Sequence, residues 1–181
     1  MITRDNTVLD SEIIRDLESR KNDFRFSINC RNSFYYTLFM DAVKWSRKEL
    51  VKYLLTYPYI KINDKNDNGD TALIIACHRD DVDICKLLLC REDLDVNIKC
   101  RYGYTGLHNA YKGTTRELLL DARADIMIRT HHGNTAQDIA IYMGYCDIAK
   151  IINNSRYTTL LRIPNETLLF DIVRMIIEKY I

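Results

Sequence analysis

Apolar residues recur along the chain in short helical clusters, and polar turns that mostly contain glycine separate these clusters. Four of the clusters can be aligned on a leading threonine, and they cover residues 37–55, 71–89, 105–120 and 135–152. The leading threonines are 34, 34 and 30 residues apart. A recurrence at roughly 33 residues is typical of stacked supersecondary units, which predicts a repeat architecture before any other motif is considered.

Each cluster predicts a pair of helices. A glycine two residues before the threonine supplies the freedom that a tight turn needs, and the threonine side chain caps the first helix. In the second cluster Leu73 and Ala76 share one helical face, and Ile84, Leu87 and Leu88 continue that spacing in a second helix. Small residues that allow close helix packing recur at one position of the units: Ala42, Ala76, Ala110 and Ala140.

These segments resemble the ankyrin repeat. TGLHNA at 105–110 matches the start of the family pattern except that Gly106 replaces proline, and LLLDARADI at 118–126 matches its end except that Arg123 replaces glycine. LLLCREDLDVN at 87–97 matches with one extra residue, and Tyr35 replaces the turn glycine of the first unit. The resemblance covers roughly residues 29–154 and implies an all-α solenoid of stacked helix pairs with short extended, hairpin-like links.

The register divides the chain into six predicted segments. Residues 1–30 form an N-terminal capping half-repeat, and residues 155–181 form a C-terminal capping helix or a truncated repeat. Repeats one to four cover residues 31–64, 65–98, 99–128 and 129–154. The third repeat is shortened, and we place the loss within residues 111–117. Either the turn between its helices is tightened at Gly113, or its second helix starts late with Thr114 or Thr115 as its cap, and we favour the late start.

The same register predicts the buried core. The residues expected there are Leu73, Ala76, Leu87, Leu88, Leu107, Ala110, Leu118, Leu119, Ala140, Ile148 and Ile151.

Composition narrows the function classes. Apolar residues make up 47% of the chain and charged residues 28%, as in globular proteins. The net charge is +1, so there is no basic excess of the kind nucleic-acid binders show, and no apolar run approaches the roughly 18 residues that span a bilayer. Residues 1–10 lack the apolar core of a secretory signal, and the six cysteines are expected to be buried free thiols. We therefore expect a monomeric cytoplasmic protein that binds neither nucleic acid nor membrane.

Motifs for chemistry are absent from the sequence. There is no P-loop, no G-x-S-x-G and no H-E-x-x-H, so we expect no enzyme activity and no cofactor. His131, His132 and Cys146 do not have the paired spacing of a zinc site, and we expect no bound metal. We interpret His108 as a structural residue that bonds the backbone of the preceding turn, and Asp80 and Asp81 as solvated.

The resemblance implies a binding function. In ankyrin-like stacks the turn tips and the exposed side of the first helices form one concave face. Trp45 and Arg79 occupy one variable position at the end of the first helix, and the tips of the later units are basic and aromatic. Aromatic residues and arginine dominate binding energy at many interfaces. The residues predicted to be exposed on one side and to bind a protein partner of unknown identity are Trp45, Arg79, Arg101, Tyr102, Tyr104, His131 and His132.

The C-terminal segment leaves an alternative open. LLRIPNETLLFDIVRMII at 160–177 loosely resembles the start of an F-box, the segment that docks a substrate receptor onto a ubiquitin ligase, although the chain stops too soon for a full F-box. Poxviral ankyrin proteins often carry such a tail, and short ankyrin proteins are frequent in intracellular bacteria. The leading hypothesis is therefore a protein-interaction module of a pathogen that acts on a host factor, and the alternative is a ubiquitin-ligase adaptor that uses this tail. A capping helix explains the same apolar spacing.

Overall fold

The computed structural model describes residues 7–20, 27–110, 113–114, 118, 121 and 123–161. Its named helices are α1 (Thr7–Arg20), α2 (Leu38–Lys44), α3 (Lys48–Leu55), α4 (Ala72–His78), α5 (Val82–Leu89), α6 (Gly106–Asn109), α7 (Ala136–Tyr142) and α8 (Cys146–Leu161). Within these residues the extended backbone pairs only as one isolated bridge, between Arg31 and Thr37. The all-α repeat fold predicted from the sequence is confirmed.

The threonines begin the first helices as predicted. The Thr37 hydroxyl accepts a hydrogen bond from the Met40 backbone N–H at 3.2 Å, and the Thr71 hydroxyl accepts one from Ile74 at 3.4 Å. At α7 the Asp138 carboxylate also accepts a hydrogen bond from the Thr135 N–H at 2.8 Å, which completes a capping box. These bonds satisfy backbone donors that would otherwise have no partner in the first turn.

The helices stack in two rows. The first helices α2, α4, α6 and α7 pack in series, and the second helices α3 and α5 pack beside them. Helix α1 packs against α3 as α3 packs against α5, so it occupies the place of a second helix. It begins at Thr7. A buried ion pair between Arg47 and Asp10 ties α1 to the first pair.

Asparagine side chains connect the links between the pairs. The Asn63 amide donates to the Asp93 carbonyl at 2.7 Å and accepts from the Asp95 N–H at 3.0 Å. Asn29 and Asn97 make equivalent bonds to the following link. The three residues are 34 positions apart, so the repeat register continues N-terminally to residue 29.

The predicted core is largely confirmed. The four recurring alanines are buried, as are Leu73, Leu88, Leu107, Leu118 and Ile148. The prediction was wrong for Leu87 and Ile151, which are half-buried, because Leu88 and Ile152 face the interior. Leu119 lies outside the described residues. Cys77, Cys85 and Cys100 are buried free thiols, whereas Cys30, Cys90 and Cys146 are exposed, contrary to the prediction.

The third unit is shortened in its first helix. Helix α6 has four residues where α2, α4 and α7 have seven, and Ala110 leaves the helical conformation with ψ 127°. Gly113 and Thr114 are already helical, so the predicted late start capped by Thr114 was wrong. Thr115 lies outside the described residues.

Asp80 and Asp81 are not the solvated pair expected from the sequence. One Asp80 carboxylate oxygen accepts bonds from the Gly113 N–H, the Thr114 N–H and the Thr114 hydroxyl, each at 3.0 Å. Asp81 caps α5 by accepting from the Ile84 N–H at 3.1 Å. Asp80 therefore joins the second pair to the helical residues that follow α6.

No helix within the described part of the chain combines the length and the apolar character that a bilayer crossing needs.

Candidate functional site

Four five-residue turns, here called the tips, precede the first helices. They cover residues 32–36, 66–70, 100–104 and 130–134, and a backbone hydrogen bond of 2.8–3.0 Å closes each one. The fourth residue of each tip has a positive φ, and it is glycine in all tips except the first, where Tyr35 adopts φ 59°. Gly69 leaves no room for a side chain, since an added Cβ would lie 2.7 Å from the Arg101 nitrogen of the next tip. The tips therefore form a close-packed row.

A hollow of about 680 Å³ lies between the first two tips and the end of α2. Its lining residues are Asn32, Ser33, Phe34, Tyr36, Asp41, Lys44, Trp45, Asn66, Asp67 and Asn68. Phe34 is 69% exposed although it is fully apolar. A hollow of this size with aromatic walls is within the range that accommodates a ligand or a side-chain cluster of a partner.

A lysine lies between the aromatic rings of this hollow. The Lys44 ammonium is 4.5 Å from the centre of the Tyr36 ring and 5.8 Å from the centre of the Trp45 ring. Such cation–π contacts hold the charge over the rings and leave it open to solvent on its other side. Lys44 forms no salt bridge with any residue that the structure describes.

The neighbouring carboxylate is partly desolvated. Burial raises the pKa of Asp41, while the nearby Lys44 charge and a 3.2 Å hydrogen bond from Asn32 oppose that rise. The Asp41 carboxylate is therefore already supplied with a hydrogen-bond donor from within the chain.

A second hollow of about 390 Å³ continues the first one along the stack. The two hollows share Tyr36, Lys44 and Asn68, and together we call them the first-helix groove. The second hollow adds Asp70, Ile74, Ile75, His78, Arg79 and Asn109. Burial raises the pKa of Asp70. The Arg79 Nε is buried and has no hydrogen-bond partner among the described residues.

The predicted binding residues divide into two groups. Trp45 and Arg79 line the groove and are half-buried, so the expectation that they would be largely exposed was wrong. The same correction applies to Tyr104, whose ring packs edge-on against His108 with the ring centres 5.8 Å apart. The remaining four residues are exposed on the third and fourth tips and line neither hollow: Arg101, Tyr102, His131 and His132.

Sequence reasoning missed Phe34, Tyr36, Asp41 and Lys44. One signal for Lys44 was available, because Lys44 and His78 are 34 residues apart and share one register, next to that of Trp45 and Arg79. The first tip also has three aromatic residues at 34–36, where the second tip has none.

His108 has the structural role expected of it. Its Nδ1 accepts from the Thr105 N–H at 3.2 Å, and its Nε2 lies 3.3 Å from the Asn134 carbonyl oxygen of the next tip. Burial lowers the pKa of His108, so the neutral ring is favoured. Its bonds connect α6 to the following unit.

No group of three or more His, Cys, Asp or Glu side chains within the described ranges could hold a metal ion.

Both matches to known proteins cover only part of the chain. The sequence model for ankyrin repeats in three copies matches residues 10–100, just over half of the chain. A human protein, BCL-6 corepressor-like protein 1, is 33% identical over 107 residues. These residues are 58% of this chain but 6% of that protein, so the similarity concerns a small part of the relative.

The alternative adaptor function depends on a segment that neither the structure nor the family match reaches. Residues 162–181, which include most of the F-box-like sequence, lie outside the described residues, and the family match ends at residue 100. The adaptor role and the pathogen origin stay predictions.

Proposed function

Because the chain belongs to the ankyrin-repeat family, we propose that it is a non-catalytic protein-interaction module whose partner occupies the first-helix groove. Proteins of this family are typically interaction modules without enzyme activity. The observation that carries the proposal is the first hollow, where Phe34, Trp45 and Lys44 surround about 680 Å³ of open space. Aromatic anchors in a partly enclosed pocket are the usual centre of binding energy at protein interfaces.

The tips extend the proposed surface. Arg101, Tyr102, His131 and His132 are exposed in the row that continues from the groove. The Tyr104 ring lies in the same row and packs edge-on against His108. We propose that the groove supplies the anchor of the complex and that the tips supply its rim, where contacts contribute less because water reaches them.

A matched pair of variants tests the proposal. Phe34 lines the groove and is 69% exposed, whereas Tyr59 is 84% exposed and lines neither hollow. Tagged full-length protein is recovered from cells that express it, and co-purified proteins are quantified by mass spectrometry. Phe34→Ala should reduce recovery of specific partners about tenfold, while Tyr59→Ala and the wild type recover them equally.

Melting temperatures provide the control, because neither substitution removes a buried side chain and both variants should melt like the wild type. If Phe34→Ala leaves recovery unchanged, or if Tyr59→Ala reduces it by the same factor, the groove is not the binding site.

A further inference from the structure

The charges of the first-helix groove are arranged unevenly along its length. The first hollow contains the carboxylates Asp41 and Asp67 with the single cation Lys44. The second hollow contains Lys44 and Arg79, with Asp70 as its carboxylate. Phe34 and Trp45 line the first hollow, and Arg79 lines the second. The groove is therefore aromatic at one end and carries the Lys44 and Arg79 charges toward the other.

Arg79 forms no salt bridge within the described part of the chain, and its buried Nε has no hydrogen-bond partner there. By contrast, Arg91 and Arg123 each bond a carboxylate two residues away and carbonyl oxygens of the preceding unit. The Arg79 guanidinium therefore differs from those of Arg91 and Arg123, which connect neighbouring repeat units.

Two acids of the groove are half-buried. Asn32 donates to the Asp41 carboxylate at 3.2 Å, and the Asp70 N–H donates to Asn66 Oδ1 at 2.9 Å. Burial raises the pKa of both acids, which shows that each is poorly solvated where it stands. Asp67 is exposed at the rim. The second hollow nevertheless has two cations, Lys44 and Arg79, against the single carboxylate of Asp70, and neither cation forms a salt bridge with a described residue.

We propose that the first-helix groove recognises an extended protein segment that places an Asp or Glu carboxylate between Lys44 and Arg79 and an adjacent large apolar side chain against Phe34 and Trp45. The planar guanidinium suits a carboxylate because two parallel hydrogen bonds can form. The apolar side chain covers aromatic surface that water now contacts. This proposal rests on the proposed function and specifies the chemistry of the partner.

Selection from a random-peptide phage library tests the proposal with the full-length chain as bait. The wild type should enrich peptides that carry Asp or Glu next to Leu, Phe or Trp. Phe34→Ala should lose that enrichment, and Tyr59→Ala should keep it. Arg79→Glu should reverse the charge preference and enrich peptides with Lys or Arg at the same position.

Fluorescence polarisation then measures the carboxylate directly. Replacing the acid of an enriched peptide by its amide should weaken binding to the wild type about tenfold, and the same replacement should have little effect on binding to Arg79→Glu. Lys44→Glu gives an independent second variant in case Arg79→Glu alters folding, which circular dichroism checks. Arg79→Lys should retain part of the preference because it keeps the charge without the planar donor pair.

The outcomes separate the two proposals. Enrichment that depends on Phe34 but shows no acidic preference overturns the carboxylate proposal and leaves the groove as a protein-binding site. Absence of any Phe34-dependent enrichment, or saturable binding of a labelled single-stranded oligonucleotide to the wild type in place of peptides, overturns both.

Discussion

The second helix pair and the third unit follow the same repeat pattern, yet they are built to different lengths. Helix α4 has seven residues and α6 has four, although both begin after a threonine in the same register. In α4 every residue from 72 to 77 is buried, and Asp80, just beyond its end, bonds Gly113 and Thr114 of the unit that lost a helical turn. Asp80 thus supplies an acceptor for two backbone N–H groups of the helical residues that follow the shortened helix, so the second and third units remain joined.

The largest expected effect concerns the shared core of the two units. Leu88 and Leu118 are both fully buried, so Leu88→Ala and Leu118→Ala should each lower the free energy of unfolding by about 2–5 kcal/mol. Leu87 is half-buried, and Leu87→Ala should cost less than half as much as Leu88→Ala. Urea denaturation measures all three variants. If Leu118→Ala cost under about 0.5 kcal/mol, the third unit would not be packed as the comparison requires.

The Asp80 contacts give the next largest effect. Asp80 and Ser46 are 34 residues apart, and both have a positive φ, at 53° and 54°. Asp80→Gly relieves that conformation but removes three hydrogen bonds to the third unit, so it should destabilise the protein by about 1–2 kcal/mol.

Ser46→Gly is the matched control. It relieves the same backbone conformation, and the structure places no hydrogen bond on the Ser46 hydroxyl among the described residues. It should therefore stabilise the protein by up to about 1 kcal/mol. Equal changes of the same sign in both variants would show that the Asp80 bonds contribute nothing to stability.

The sequence predicted the existence of the missing turn but not its place. TGLHNA and LLLDARAD align with the family pattern on both sides, and residues 111–117 between them have no fixed hydrophobic spacing. Either helix could have been shortened. The deciding contact is Asp80 with Gly113 and Thr114, a long-range bond that no local pattern contains. The groove was predicted only in part for a similar reason. Trp45 and Arg79 share one register position of the repeats, whereas Phe34 lines the groove only because the first tip lies beside α2.

The smallest expected effect is on the pH dependence of the free energy of unfolding. It again distinguishes the two units, because α6 of the third unit contains the buried His108. Burial lowers the pKa of His108 in the folded state below its usual value of about 6.5, so between these two values the unfolded chain binds more protons. Its contribution to stability is therefore complete above about pH 6.5 and is lost as the pH falls through the folded-state pKa.

Urea midpoints of the wild type and His108→Gln measure this effect. Between neutral pH and about pH 5 the wild type should lose more stability than the variant. The acids Asp93, Asp121 and Asp138, whose pKa values are lowered by hydrogen bonds, lose their contributions only at lower pH and are common to both proteins. Parallel pH curves for the two proteins would contradict a buried neutral His108.

The most direct test of the binding function is site-specific photo-crosslinking. Benzoylphenylalanine is incorporated at position 34, in the groove, and separately at position 59, which is also exposed but lines neither hollow. Both proteins are irradiated in cells that express them, and crosslinked partners are identified by mass spectrometry. We expect proteins to be crosslinked at position 34, to be lost when Arg79→Glu is added, and to be missing at position 59. The same partners at both positions, or partners at position 59 alone, would contradict this expectation.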